Sequence, residues 1–258
     1  MNKKVVLNSI LTTLFLTSVL MFSAPSASKD KHYILGTKTY FVEGEFEIIS
    51  DLKVSNLQIR QVREKTNWTK TNCDSKEVRD HIEVNGPINP DTPFIVERLL
   101  DRIANNNRCL DSNGKPYAVE VYLNSGGGYI KDGYKLGEVL RKEYASTIIP
   151  TTGECYSSCA AAFLGGGYRS FQESSPPESE GKLMFHAPYK YKNDYYGIGR
   201  ADIACNARDD ELRNYMIKML NSKDGNFLYE RTMSYCSISD GWSLNKDAAE
   251  IFNILKLK

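Results

Sequence analysis

The segment AVEVYLNSGGGYIKDGYKLGEVLRKEYASTIIP, residues 118–150, decides the fold of this chain. Its first six residues, AVEVYL, are typical of a β-strand, and three glycines follow at residues 126–128. A helix is predicted over about residues 130–144, and residues 146–150 are predicted as the next strand. A strand, a connecting helix and a second strand in this order predict a parallel β-sheet.

The same alternation continues on both sides of this segment. Upstream, residues 81–84 predict a short strand, followed by an Asn-Gly-Pro turn and a helix with Thr92 as its cap and Pro93 at its first position. Downstream, GECYSSC at residues 153–159 leads into a helix of small residues, and residues 183–186 predict a further strand. The predicted class is therefore α/β with a largely parallel sheet.

Two further regions complete the predicted organisation. Residues 206–232 have apolar side chains at helical spacing and predict mostly helix. Residues 40–54, YFVEGEFEIISDLKV, alternate apolar and polar side chains around a glycine and predict a strand pair. We therefore expect residues 29–78 to form a small N-terminal extension with β structure, and residues 79–258 to form the α/β domain.

The composition is that of an ordinary globular protein. The chain has 258 residues, of which 41% are hydrophobic and 25% are charged. This length suffices for one sizeable domain and a smaller appendage. With 33 basic and 32 acidic side chains the net charge is +1, which gives no electrostatic reason to expect nucleic acid or a membrane surface as a partner.

The first 28 residues resemble a secretory signal peptide. Lys3 and Lys4 precede an apolar stretch at residues 5–22, and small residues follow at 23–28. An uncleaved membrane anchor is the alternative, because the apolar stretch is nearly long enough to span a bilayer. Its polar interruptions favour cleavage, so we expect an exported protein, periplasmic or extracellular, that contacts a membrane only if this segment is retained.

The cysteine content fits an oxidising compartment, where an even number of thiols favours disulfide bonds. The cysteines are Cys73, Cys109, Cys155, Cys159, Cys205 and Cys236. The sequence alone does not choose among their pairings. A zinc site is the weaker interpretation, because the chain has no Cys-x-x-Cys motif and no nearby pair of histidines.

One histidine and one serine stand out as candidates for catalysis. His186 follows the apolar strand Leu-Met-Phe, and catalytic groups in parallel sheets gather where strands end. Ser157 lies on the predicted turn before the small-residue helix, which places a hydroxyl near amides that can bind an oxyanion. A serine needs a base to become nucleophilic. A structural histidine, a serine that only caps the helix and an exposed Ser158 remain alternatives.

The glycines at residues 126–128 allow the backbone to approach a ligand closely. They can supply an N–H donor to an oxyanion. A phosphate-binding turn is a weaker interpretation, because neither Gly-x-x-x-x-Gly-Lys nor Gly-x-Gly-x-x-Gly occurs there. A plain turn is the remaining alternative.

Taken in order, these motifs resemble the Clp protease proteolytic subunit (ClpP) family, and especially its exported, cysteine-containing relatives. The family's Asn-Ser-Pro-Gly-Gly element resembles residues 124–128, with glycine in place of proline. Its Gly-x-x-x-Ser element matches residues 153–157, its Gly-x-x-Arg element resembles residues 166–169, and its His-x-Pro turn matches residues 186–188. The resemblance covers about residues 80–258 and implies the ClpP/crotonase-like fold, a spiral of repeated β-β-α units.

The resemblance also implies roles for individual residues. Ser157 would be the nucleophile and His186 its general base, while Gly127 and Ser158 would donate backbone N–H groups to the oxyanion. Asp240, followed by Gly-Trp-Ser-Leu, is similar to the family's acid and would orient the imidazole. A helix-capping or turn residue is the alternative for this aspartate.

Two cysteines bracket the candidate nucleophile at two residues on either side. At the start of a helix, Cys155 and Cys159 would lie within disulfide range. We expect them either to bridge each other or to pair with Cys109 and with Cys205 or Cys236, which would lock the turn. A thiol nucleophile is the competing interpretation, against which the oxidising compartment and the motif position both argue.

Together these features predict a serine hydrolase, specifically a peptidase that cleaves peptide or protein substrates through an acyl-enzyme. The alternatives are a catalytically inactive ClpP-like binding or scaffold protein of the cell envelope and a crotonase-type acyl-CoA enzyme, although an exported protein has little access to coenzyme A. A Ser–Lys dyad using Lys131 or Lys135 is a further alternative. No metal, organic cofactor or nucleic acid is expected, and the rings of the family imply a homo-oligomer.

Overall fold

The order of the elements follows the alternation that the sequence predicts. The computed structural model describes residues 30–35, 38–43, 45–65, 78–107, 118–172, 181–193, 199–203, 209–236 and 240–256. The strands are β1 (Asp30–Leu35), β2 (Lys38–Glu43), β3 (Glu45–Val54), β4 (Leu57–Lys65), β5 (Val78–Asn85), β6 (Glu120–Asn124), β7 (Ser146–Ile149), β8 (Glu154–Tyr156), β9 (Tyr168–Phe171), β10 (Lys182–Phe185), β11 (Tyr189–Asn193), β12 (Gly199–Ile203) and β13 (Trp242–Leu244). The helices are α1 (Asp91–Asn107), α2 (Ile130–Lys142), α3 (Ser158–Phe163), α4 (Asp210–Met219), α5 (Ser222–Met233) and α6 (Lys246–Ile251).

The predicted signal peptide, residues 1–28, lies outside the described residues. In the ranges given above, no helix combines the length and the apolar character that crossing a bilayer requires.

A six-stranded sheet lies at the centre of the fold, in the order β3-β4-β5-β6-β7-β9. The pairings β5–β6, β6–β7 and β7–β9 are parallel. The pairings β3–β4 and β4–β5 are antiparallel. Strand β7, with the sequence STII, is buried along its whole length, as expected for a parallel strand covered on both faces. The predicted α/β class with a largely parallel sheet is confirmed.

Strands β3 and β4 connect the region before residue 79 to this sheet. Strand β4 pairs with β5 along its length, and its side chains Leu57, Ile59 and Val62 are buried. The predicted boundary between extension and domain therefore falls inside a continuous sheet. Two strands, β2 and β3, form where residues 40–54 predict a strand pair, but they pair with β1 and β4 and not with each other. Alternation of apolar residues identifies strands but contains no information about their partners.

A three-stranded sheet in the order β13-β10-β8 carries the predicted motifs. Strands β8 and β10 are parallel, with Tyr156 opposite Met184, whereas β10 and β13 are antiparallel. A parallel bridge between Ser125 and Cys155 joins the end of β6 to β8. The residues that follow β6, β8 and β10 are thereby brought to one edge of this sheet.

Helix α1 begins with an asparagine cap rather than the predicted threonine cap. The Asn89 Oδ1 atom accepts hydrogen bonds from the N–H groups of Asp91 and Thr92 at 3.0 and 3.2 Å. The Thr92 hydroxyl in turn accepts the Asn89 N–H at 3.0 Å. This reciprocal pair satisfies N–H groups that have no partner inside the helix, so Thr92 stabilises the helix start from within its first turn.

Candidate active site

Ser157 lies on a sharp turn between β8 and α3. Its φ of 57° and ψ of −120° lie in a region that residues other than glycine rarely adopt. Such a conformation costs roughly 1–3 kcal/mol and persists only where the surrounding structure imposes it. The Ser157 N–H donates to the Met184 carbonyl at 2.9 Å, which holds the turn against β10. The residue is partly exposed to solvent at the start of α3.

The neighbouring Ser158 is placed differently. It is 0% exposed, and its Oγ has no hydrogen-bond partner among the described residues. Its hydroxyl therefore cannot reach a substrate, and of the two serines Ser157 has the accessible hydroxyl. Ser158 is the first residue of α3, where a backbone N–H has no partner within the helix.

The backbone of Gly127 lies directly against Ser157. A Cβ atom placed on Gly127 would lie 2.8 Å from the Ser157 Cβ and 3.4 Å from its Oγ. The φ of Gly127 is +107°, which glycine adopts without a steric penalty. Its N–H donates to the Ser125 hydroxyl at 3.0 Å, so the predicted oxyanion donor is engaged by a nearby side chain in this structure.

His186 follows β10 at the same edge of the small sheet. Because β10 runs parallel to β8, His186 and Ser157 both lie just beyond the carboxyl ends of adjacent strands. The histidine is 8% exposed, and its Nδ1 lies 2.9 Å from the Ala187 carbonyl oxygen. A carbonyl oxygen can only accept, so Nδ1 is the donor in this contact, and in the tautomer with its one proton on Nδ1 the Nε2 atom is an acceptor.

An aromatic ring also contacts the imidazole. The rings of His186 and Tyr189 are stacked, with their centroids 5.6 Å apart and 21° between their planes. The sequence contains no signal for the two groups that contact the imidazole, the Ala187 carbonyl and the Tyr189 ring. One belongs to the main chain, which is the same for every residue type, and a tyrosine beside a predicted strand is too common to be a signal.

Two contacts of a complete Ser-His-Asp triad are not formed among the described residues. No hydrogen bond joins the Ser157 hydroxyl to His186, and none joins His186 to Asp240. Asp240 is exposed, and its Oδ1 accepts the N–H of Gly241 at 2.9 Å. The aspartate therefore lies near β13 with its carboxylate bonded locally.

Cys155 and Cys159 form a disulfide bond that spans Ser157. Both cysteines are completely buried, and their Cα atoms are 5.1 Å apart. The first of the two predicted arrangements is thereby confirmed, and Cys236 is also disulfide-bonded. The remaining cysteines lie outside the described residues: Cys73, Cys109 and Cys205. Since the Cys155–Cys159 bond links the strand before the serine to the helix after it, the turn cannot open widely while the bond is intact.

Two arginines hold the carboxyl end of α3. Arg169 is 4% exposed and donates to the carbonyls of Ile254 at 2.6 Å and Gly166 at 3.1 Å. Arg141 and Arg169 both donate to the Leu164 carbonyl, at 2.8 and 3.4 Å. Burial, together with the nearby Arg141 charge, lowers the pKa of Arg169 to about 10. Cations are favourable at the carboxyl end of a helix, so these contacts stabilise the helix that follows Ser157.

Helix α2 packs closely against α3 through glycines. A Cβ atom on Gly133 would overlap the Ser158 carbonyl oxygen, and one on Gly137 would overlap the Tyr215 hydroxyl. That hydroxyl donates to the Ala161 carbonyl at 2.7 Å, and burial raises the pKa of Tyr215. Helix α3 is therefore fixed on this side as well as at its carboxyl end.

The lysines of α2 are not suited to act as a base. Lys131 is 3.5 Å from a Glu211 carboxylate oxygen, and Lys135 is 3.7 Å from one of Asp132. Both lysine side chains are mostly exposed, and both are engaged by carboxylates. The geometry does not support a Ser–Lys dyad. Within the part of the chain that the structure describes, no three His, Cys, Asp or Glu side chains are grouped to hold a metal ion.

No protein-family model matches the chain. No curated protein matches it either. Several solved structures of proteases are similar to it. One is a variant of the 1510-N membrane-bound stomatin-specific protease, with a TM-score of 0.45 and 13% identity over 68% of this chain and 76% of that chain. Another variant of that protease, in complex with a substrate peptide, has a TM-score of 0.49 and 12% identity over 68% of this chain and 72% of that chain.

A third similar structure is the ClpP protease catalytic domain from Plasmodium falciparum. Its TM-score is 0.44, with 16% identity over 68% of this chain and 82% of that chain. ClpP-like proteases, which the sequence motifs resemble, thus occur among the structures similar to this chain. At identities this low, no residue's role is carried over from them.

Proposed function

We propose that this chain is an exported serine hydrolase that cleaves peptide bonds, with Ser157 as the nucleophile and His186 as the general base. The observation that carries the proposal is the turn at Ser157. A non-glycine residue is held at positive φ between a strand and a helix, its neighbour's hydroxyl is buried, and a glycine backbone contacts its side chain. Strain of this kind is typical of functional positions.

In the proposed reaction the Ser157 Oγ attacks the carbonyl carbon of the scissile peptide. The His186 Nε2 takes the hydroxyl proton and then transfers it to the leaving amine, so that an acyl-enzyme and an amine product result. Water, deprotonated by the same nitrogen, then attacks the acyl-enzyme and releases the acid product with Ser157 restored. The proton on Nδ1, bonded to the Ala187 carbonyl, favours this role because it leaves Nε2 able to accept.

The oxyanion would be stabilised by backbone N–H groups beside the serine. The Ser158 N–H lies at the first position of α3 and has no helical partner. The Gly127 N–H would join it after the Ser125 hydroxyl, which accepts it now, rotates away. Losing one such donor costs roughly 100- to 1,000-fold in kcat.

Export is the second part of the proposal. It rests on the signal-like pattern of residues 1–28 and on the disulfide between Cys155 and Cys159. Disulfides persist in oxidising compartments and are rare in the cytosol. The proposed substrates are therefore polypeptides outside the cytoplasm.

A fluorophosphonate probe tests the nucleophile directly, because it forms a covalent bond only with an activated serine. We expect the purified mature chain to be labelled once, and Ser157→Ala to abolish labelling. Ser158→Ala is the matched control, and it should leave the label in place because that hydroxyl is buried. Labelling that persists in Ser157→Ala, or that disappears only in Ser158→Ala, would show that the nucleophile is another residue.

A non-catalytic binding protein is the second candidate function. It is favoured by the absence of a hydrogen bond between Ser157 and His186 among the described residues. Such bonds are often long in substrate-free enzymes and tighten on binding, which is why hydrolysis remains the first proposal. A correctly folded wild-type chain that never reacts with the probe would favour the binding protein.

A further inference from the structure

We propose that His186 is oriented by the Ala187 carbonyl and the Tyr189 ring, and that the Asp240 carboxylate takes no part in positioning it. The inference rests on the proposed hydrolase function, which makes the orientation of this imidazole decisive. In this proposal the Ala187 carbonyl and the Tyr189 ring perform the positioning role that the sequence resemblance gives to Asp240.

The first support is the hydrogen bond on Nδ1. A catalytic base must hold its ring in one tautomer and one orientation, with Nε2 directed to the nucleophile. The Ala187 carbonyl oxygen, 2.9 Å from Nδ1, supplies an acceptor that cannot itself donate. It therefore selects the tautomer with the proton on Nδ1, which is the task that a carboxylate performs in a triad.

The second support is the stacked tyrosine. The ring planes of His186 and Tyr189 are 21° from parallel and their centroids are 5.6 Å apart, so the phenol ring occupies one side of the imidazole and favours its present plane. The face of an aromatic ring is electron-rich and attracts a cation. Tyr189 would thus restrict the neutral base and stabilise the imidazolium that forms when the base takes a proton.

The third support is the state of Asp240. Its side chain is exposed, and one carboxylate oxygen accepts the N–H of the next residue, Gly241, at 2.9 Å. His186, by contrast, is 8% exposed, and both its Nδ1 and one ring face already have neighbours. An exposed carboxylate interacts weakly because water screens its charge.

Fluorophosphonate inactivation of three variants tests the proposal, with kinact and KI measured separately. We expect Asp240→Asn to keep kinact within about twofold of wild type, since an orienting acid in a triad is worth roughly 10⁴-fold. Tyr189→Leu should lower kinact by about tenfold or more with KI changed less than about twofold, because part of a general-base contribution of about 10²–10⁴ is lost. Tyr189→Phe, which keeps the ring, should restore kinact relative to Tyr189→Leu.

A loss of several orders of magnitude in Asp240→Asn, or a Tyr189→Leu variant as reactive as wild type, would overturn the proposal. Urea unfolding of each variant separates loss of reactivity from loss of folding. A second measurement does not depend on activity: ¹⁵N NMR of the imidazole, assigned with His186→Gln, should find the proton on Nδ1. A proton on Nε2 would refute the orientation. A wild-type chain that does not react with the probe, yet has the proton on Nδ1, would instead refute the hydrolase function alone.

Discussion

Replacement of Gly127 by alanine should weaken both the folded state and the reactivity of Ser157. The new Cβ would lie 2.8 Å from the Ser157 Cβ and 2.9 Å from the Tyr156 carbonyl oxygen, closer than such atoms normally approach. The φ of +107° adds strain, because residues with a Cβ rarely adopt it. We expect the free energy of unfolding to fall by about 1–3 kcal/mol.

The effect on reactivity should be larger than the effect on stability. Relief of the overlap requires Ser157 and the glycine turn to move apart, and a displacement of about 1 Å at a reacting group can cost on the order of 10²-fold in rate. The assay is the rate of fluorophosphonate labelling, measured beside urea unfolding of the same protein. Labelling then reports the position of the hydroxyl, and unfolding reports the strain.

The adjacent glycine provides the matched control. A Cβ on Gly126 would meet nothing within 4 Å, and its φ is not positive. Gly126→Ala should therefore change the free energy of unfolding by less than about 0.5 kcal/mol and leave labelling unchanged. If the two alanine variants behave alike, or if Gly127→Ala is labelled at the wild-type rate, the close approach of the glycine turn to Ser157 is wrong.

Two other predictions concern the same turn. In the double variant Cys155→Ala/Cys159→Ala, loss of the short cross-link should lower the free energy of unfolding by about 2 kcal/mol, as measured by urea unfolding. It should also slow labelling by the fluorophosphonate probe. Unchanged values for both would mean that the disulfide does not hold the turn. Ser158→Ala removes a buried hydroxyl without a partner among the described residues. Thermal and urea unfolding should therefore find a protein as stable as wild type or up to about 1 kcal/mol more stable. A clear loss of stability would reveal a partner for that hydroxyl.

The part of the fold that sequence could predict is the part governed by local signals. Glycines, small residues and short apolar runs mark the strand ends at residues 124–128 and 153–159, and the structure has strands and helices at those places. A bond between Cys155 and Cys159 is one of the two disulfide arrangements predicted from their positions on either side of Ser157, and this bond forms. These features depend on a few neighbouring residues, which is why a pattern along the chain suffices.

The parts that sequence could not predict depend on contacts between distant segments. The pairing of β4 with β5 is one such contact, because several strands are chemically similar partners. The cap of α1 is a local exception, since Asn89 and Thr92 lie three residues apart and both residue types cap helices. The contacts of His186 could not be predicted from the sequence for another reason. Its Nδ1 is bonded to a backbone carbonyl, which every residue possesses, so no residue type at position 187 could reveal it.

The hydrogen bond from Arg169 to the Ile254 carbonyl joins two residues that are synthesised at different times. The two residues are 85 positions apart. The Arg169 guanidinium therefore lacks this acceptor until the segment around Ile254 has been synthesised, long after α3 is complete. Until then a cation would have to be buried with fewer carbonyls around it, which opposes closure of the interior. We therefore expect the turn at Ser157 to reach its final rigidity only late in folding, after the segment around Ile254 has joined the chain and supplied this acceptor.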